Sequence, residues 1–344
     1  MLYARAGLGS FVTVVALAGA GCGDGEGEPA PVETFDGIDV LFVVNDSRAM
    51  VPLQERLGEH VAGFLDSLAA AEGALPSLHV GVVSTEVTDS TVPAALCPGR
   101  TGGELRSIDC LTDGAFARSA DGNYAGALAD AAACMMQLGD LGCPFEQPLE
   151  AMRRALDGSV PGNDGFLRDD ALLAVIFVTD EDDCSAADPY LFSQTTTQYG
   201  QLSSYRCFAH GIRCDQPDTG TPGPRTGCVP ATDGPLHPVD DYLAFLETRK
   251  GGRGRVVVGG LVPPSSPVQV RREAETGLTL LEPLCPSIGP EIGLQTWPSP
   301  RMHALADAIA AATDGEPALG SLCSDDWSVP LAALAGRVAD TYRE

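Results

Sequence analysis

The chain has 344 residues, 44% of them hydrophobic, enough for one large domain or two average ones with a substantial core. Its formal net charge is −26, from 47 acidic against 21 basic residues, which argues against nucleic acid as a partner because phosphate contacts need clusters of Lys and Arg. A cation or a basic partner suits this balance better, although for most of these carboxylates solubility is a sufficient reason.

The chain opens with "MLYARAGLGSFVTVVALAGAGC": a short start carrying Arg5, an apolar Gly- and Ala-rich stretch, then small residues. Residues 1–21 read as an export signal, too short and too Gly-rich for a membrane span. The "AGAGC" ending resembles a bacterial lipoprotein signal, which implies that Cys22 becomes a lipidated N-terminus. Residues 22–36, "CGDGEGEPAPVETFD", show no apolar periodicity and read as an acidic tether.

From residue 37 the pattern changes. Ile38 to Val44 is a mainly apolar run that stops abruptly at Asn45, Asp46 and Ser47. Leu53, Leu57, Val61, Phe64, Leu65 and Leu68 then fall three and four apart, which predicts an amphipathic helix with Pro52 in its first turn. "LHVGVVSTE", 78–86, is a second buried strand with a polar end. Helices are predicted near 124–137 and 145–156, and the most apolar strand lies in "ALLAVIFVTDEDD", 171–183. Residues 184–235, rich in Gly, Pro, Thr and Cys, show no core pattern and read as a disulfide-held insertion. A helix near 237–249, a strand at 255–262 and helices near 300–312 and 327–341 complete the chain. Apolar strands alternating with amphipathic helices imply an α/β fold: a doubly wound, mainly parallel sheet with helices on both faces, spanning 37–344 as one domain. In such sheets ligands bind beyond the carboxyl ends of the strands. Asn45, Asp46, Ser47, Glu86, Asp180 and Glu181 all fall there.

Setting Cys22 aside leaves ten cysteines, an even number that fits a disulfide framework in an exported chain. Cys97–Cys110 and Cys134–Cys143 are close enough in sequence for local bridges, and Cys285–Cys323 would staple the C-terminal segment. Pairing among Cys184, Cys207, Cys214 and Cys228 stays open. Trp297 and Trp327 read as packing around the C-terminal bridge. The histidines, His60, His79, His210, His237 and His303, show no spacing that suggests ligation.

The strand "DVLFVV" followed at once by "NDSRA", together with the later "VIFVTD", resembles a von Willebrand factor A-type domain. "GCPFEQPLEAMRRAL" and "GFLRDDALLAVIFVTDEDDCS" are similar to a subgroup of bacterial, often myxobacterial, cysteine-containing lipoproteins with this domain. The resemblance implies a metal-ion-dependent adhesion site, usually occupied by Mg²⁺, with Mn²⁺ or Ca²⁺ as alternatives. Its ligands would be Asn45 at the first Asp position of the Asp-x-Ser-x-Ser motif, Ser47 at the first Ser and Asp180 at the later Asp. Ala49 stands at the second Ser position, and the Thr position falls on or near Cys143. Asn45 can coordinate only as a neutral carbonyl and Ala49 supplies nothing, so affinity for a hard cation is expected to be lowered. Asp46, Glu86, Glu146, Glu181, Asp182 and Asp183 are the candidates to compensate as partners of metal-bound water. The competing reading is a vestigial site holding no ion, with Asn45, Ser47 and Asp180 as helix and loop caps.

Together these readings describe a non-enzymatic binding module, lipid-anchored at the outer membrane or surface of a Gram-negative envelope, recognising a protein or glycan. The membrane would be touched only through the lipid. A structural envelope lipoprotein without a dissociable ligand is the alternative. A hydrolase is the third reading, and no GxSxG, HExxH or Gly-rich phosphate loop supports it.

Overall fold

The computed structural model describes residues 34–87, 102–107, 110, 112–195, 197–217, 220–285, 295–313 and 315–343, all within one folded unit, Thr34–Glu344. The expected export signal, Cys22, the expected tether up to residue 33 and Cys97 lie outside the described residues.

Every residue of β1 (Ile38–Val44), β2 (Leu78–Ser84) and β4 (Leu172–Val178) is buried, as mainly apolar runs require of central parallel strands, and the buried Asp39 of β1 pairs with Arg168 at 2.7 Å. With β3 (Ala117–Arg118), β8 (Val256–Val262) and β11 (Ala318–Ser321) they form a six-stranded sheet of order β11-β8-β4-β1-β2-β3, parallel except for the short edge strand β3. Alternate residues of β1 serve two cores. Ile38, Val40, Phe42 and Val44 pack with α1 (Val51–Glu72), α2 (Leu128–Met135) and α7 (Ser328–Arg343). Leu41 and Val43 join the core of α3 (Pro148–Leu156), α5 (Val239–Lys250) and α6 (Pro300–Ala310) on the opposite face. The doubly wound α/β architecture expected from the sequence is therefore the observed one.

Helix α1 shows how local sequence sets an element. Pro52 occupies its first turn, the six predicted apolar positions are all buried, and Gly73 at φ +74° ends it in a left-handed conformation that costs glycine little.

Three strands were not legible in the sequence: β3, β9 (Val268–Arg272) and β10 (Thr279–Leu281); β11 also lay between predicted elements. The insertion, too, is more ordered than its composition suggests. It holds β5 (Ile212–Arg213), paired with β7 (Val229–Pro230), the helix α4 (Tyr205–Gly211) and β6 (Gly223–Arg225), which pairs with β9. Its apolar residues make two small cores: Leu191 and Phe192 pack with Phe145, while Tyr205, Phe208 and Ile212 pack with Val268, Val270 and Leu281. These residues are irregularly spaced, so no period betrays them. They meet only when chain crossings bring distant segments together.

The disulfides correct two expectations. Cys110 is bridged to Cys134, with Cα atoms 5.5 Å apart, and so neither Cys97–Cys110 nor Cys134–Cys143 forms. Cys143 is disulfide-bonded to a cysteine outside the described residues. Closeness in sequence fixes only the loop length, whereas the antiparallel β2–β3 pairing folds the loop carrying Cys110 back toward α2. Cys285–Cys323 is present as expected, and the open set resolves as Cys184–Cys207 and Cys214–Cys228. Trp327 is fully buried in the core that contains Cys285, its indole Nε1 donating to Leu322 O at 3.3 Å, as the sequence reading of its packing role anticipated.

Among the described residues no helix is long and apolar enough to cross a membrane.

Candidate functional site

Register sets the site. Val44 lies opposite both Ser84 and Val178, so β1, β2 and β4 end at one level and release Asn45-Asp46, Thr85-Glu86 and Thr179-Asp180 side by side. The chain leaves β1 toward β2 on one side and β4 leads to β8 on the other, so the β1/β4 boundary is the switch point where doubly wound sheets bind ligands.

Asn45 spans that boundary. Its Nδ2 donates to Asp180 Oδ1 at 2.8 Å and to Thr179 Oγ1 at 3.5 Å, while its Oδ1 accepts from the Ser47 backbone N–H at 2.6 Å. Ser47 is partly exposed and opens a short 3₁₀ turn, Arg48–Met50; its side chain makes no capping bond, and Ala49 is exposed. Gln54 holds the arrangement from below. Its Nε2 donates to Asn45 O and Gly139 O, and its Oε1 accepts from Gly139 N. The sequence signal for Gln54 is a polar residue on the apolar face of α1.

Asp46 turns toward β2, where its Oδ1 accepts from Ser84 Oγ at 2.6 Å. Gly142 donates to Asp46 O at 2.9 Å, so closely that a Cβ there would stand 2.6 Å from Asp46 Oδ1. Glu86, also buried, places Oε1 3.4 Å from Cys143 Sγ.

Glu146 and Glu181 complete an acid cluster with Asp180. Glu146 neighbours Glu181, Asn45 and Asp46, and Glu181 neighbours Asp180. Burial pushes the Glu146 carboxyl up to about 7, with the negative Asp46 adding to it. Asp180 is pushed up to about 8 by burial and by the charge of Glu146, and Glu181 well above its ordinary range by burial, Glu146 and Asp180. Burial therefore favours the protonated forms of these carboxyls. Among the described residues the buried Glu146 Oε2 has no hydrogen-bond partner.

The acidic run 180–183 divides by role. Asp180 and Glu181 face the site, but Asp182 does not support it as expected: it accepts from the backbone N–H groups of Arg301 at 3.0 Å and Met302 at 3.2 Å, capping α6. Asp183 is also structural. It is fully buried, pairs with the Arg301 guanidinium at 2.9 Å and accepts from Leu149 N at the start of α3. Both were misplaced because alternation in a four-residue acidic loop does not reveal which helix N-terminus comes to rest beside it.

The donor set does not fit the ion that the resemblance implies. Asn45 presents its N–H₂ to Asp180 and commits its carbonyl to Ser47, Ala49 has no donor, and disulfide-bonded Cys143 stands where a Thr hydroxyl is required. Among the described residues no three His, Cys, Asp or Glu side chains are grouped to hold a metal ion. The histidines lie apart, His79 against Asp39 and Phe166 O, His210 against Tyr199 O and His303 against Pro263 O.

The strand order, the switch point and the motif placed at it define a doubly wound α/β protein of von Willebrand A-like fold. No protein-family model and no curated protein matches the chain. Solved structures do match. A von Willebrand factor type A protein from Catenulispora acidiphila is similar at 11% identity and a TM-score of 0.34, over 90% of this chain and 43% of that one. The pilus adhesin SpaC from Lactobacillus rhamnosus GG, in its open conformation, matches at 10% identity and 0.36, over 91% and 30%. The PilB minor pilin from Streptococcus sanguinis matches at 12% and 0.37, over 91% and 63%. The chain thus spans under two thirds of each of these structures, and at such similarity they carry no argument about function.

Proposed function

We propose that this chain is an exported, envelope-tethered, non-enzymatic binding module that recognises a protein or glycan through the surface at the carboxyl ends of β1, β2 and β4. One observation carries the reading: Glu146 and Asp180 are buried at the switch point with the half-buried Glu181 beside them. Mutually destabilising acids weaken a fold, and such clusters concentrate where a protein meets a ligand. The disulfides support folding in an oxidising compartment. In this reading recognition needs no resident metal.

The test is binding of the full-length oxidised protein to purified envelope polysaccharides and envelope proteins, with and without EDTA, beside Glu181→Lys. Saturable binding that survives EDTA and is lost in the variant is expected. Binding unaffected by Glu181→Lys would move recognition elsewhere, and no binding at all would favour a structural envelope protein. Calorimetric titration with Mg²⁺, Mn²⁺ and Ca²⁺ is expected to give no saturable signal; a signal that disappears in Asp180→Ala would restore a cation to the site.

A further inference from the structure

Beside the acid cluster lies a cavity of about 210 Å³, enclosed by the loop after β4, α4, the β9–β10 hairpin and residues 295–298. Its walls carry the rings of Tyr205, Phe208 and Trp297 together with Leu280 and Leu281. Its charged lining is mostly acidic. Asp182 is committed to the start of α6, and the one basic side chain, Arg271, pairs with Glu282 at 3.2 Å. Glu273 accepts from Thr276 Oγ1 at 2.5 Å. Glu181 also lines the cavity, and its charged neighbours are the acids Glu146 and Asp180.

A cavity lined by aromatic and aliphatic side chains with a carboxyl among them suits an alkyl chain with a positive head. The methylenes pack on leucine and ring surface, the π faces attract the cation, and the carboxyl fixes it. The net charge of −26 draws such a group in and disfavours an anion. A neutral sugar would leave the acidic excess unanswered.

We propose that this cavity takes a lysine side chain from a partner polypeptide, its ammonium group at Glu181 and its methylenes between Trp297, Tyr205 and Leu281. The polypeptide rests on the binding-module reading above; the pocket chemistry is tested separately with a small molecule.

Trp297 lines the cavity and is half-buried, whereas Trp327 is fully buried elsewhere, so tryptophan emission reports on the pocket. Full-length oxidised protein in EDTA is titrated with Nα-acetyl-lysine amide and with its Nε-acetylated form, which has the same stem without the charge. Saturable quenching by the first, roughly tenfold or more weaker for the second, is expected, with the preference abolished in Glu181→Gln. Equal binding of both forms, no saturable change, or a preference that persists in Glu181→Gln overturns the proposal. Should Glu181→Gln fail to fold by circular dichroism, the comparison of the two ligands on the unaltered protein decides. Lysine-amide binding without any macromolecular partner would overturn only the binding-module reading, and partner binding without lysine-amide binding only the pocket.

Discussion

Asn45 is the residue on which the chemistry of this molecule turns. A carboxylate in its place would add a further acid beside Asp180 and Glu146 and call for a cation; the amide instead donates a hydrogen bond to Asp180 and adds no charge. The consequence is a stability that depends on pH. Glu146 titrates near 7 and Asp180 near 8 in the folded chain, against ordinary values of 4.5 and 3.8, so between about pH 4 and 8 the native state holds protons that the unfolded chain has released. Stability contributed by these groups is complete below the unfolded values and is lost as pH rises through the folded ones. His79 and His210, lowered by burial, act in the opposite direction but below about pH 6.5, so the window above it belongs to the acids. The thermal midpoint is expected to fall by roughly 2–5 °C between pH 6.5 and 8.5, and Asp180→Asn to flatten that slope. A midpoint that does not change over this range would refute the raised values of Glu146 and Asp180. A second prediction belongs to this scale. Arg301 and Asp183 form a fully buried ion pair that also anchors α3, so Asp183→Ala is expected to destabilise by about 3–5 kcal/mol in urea unfolding.

At the scale of elements, bridges hold what periodicity does not specify. The Cys110–Cys134 bond ties the loop before β3 to α2 across 24 residues, and its removal is expected to cost about 3 kcal/mol by loop-closure entropy. Peptide mapping of the oxidised protein should recover Cys110 joined to Cys134 and no Cys134–Cys143 peptide. The long helices and the central strands were legible beforehand because each carries a repeated apolar pattern: six positions along α1, seven consecutive buried residues in β1 and in β4. β3 has two residues and β10 three, too few for any period to appear. The same limit hid the roles of Asp182 and Asp183, which are decided by where α6 and α3 begin in space.

For the whole molecule, the envelope tether is the prediction that can be checked most directly. Metabolic labelling with a fatty acid should mark the protein, and Cys22→Ser should abolish both the label and membrane association; an unlabelled, released protein would establish an ordinary secretory signal. The sequence by itself determined the central α/β layering, the polar strand ends at Asn45, Asp46, Asp180 and Glu181, and an oxidising destination, because periodicity, chain punctuation and cysteine number are local or compositional. Only the tertiary structure decided that Asn45 donates to Asp180, that Glu146 joins Glu181, that Cys110 finds Cys134, and that an aromatic cavity opens beside the acids. Each of these joins side chains from segments far apart in the chain, and their orientation follows from strand register and helix crossings, which no local pattern encodes.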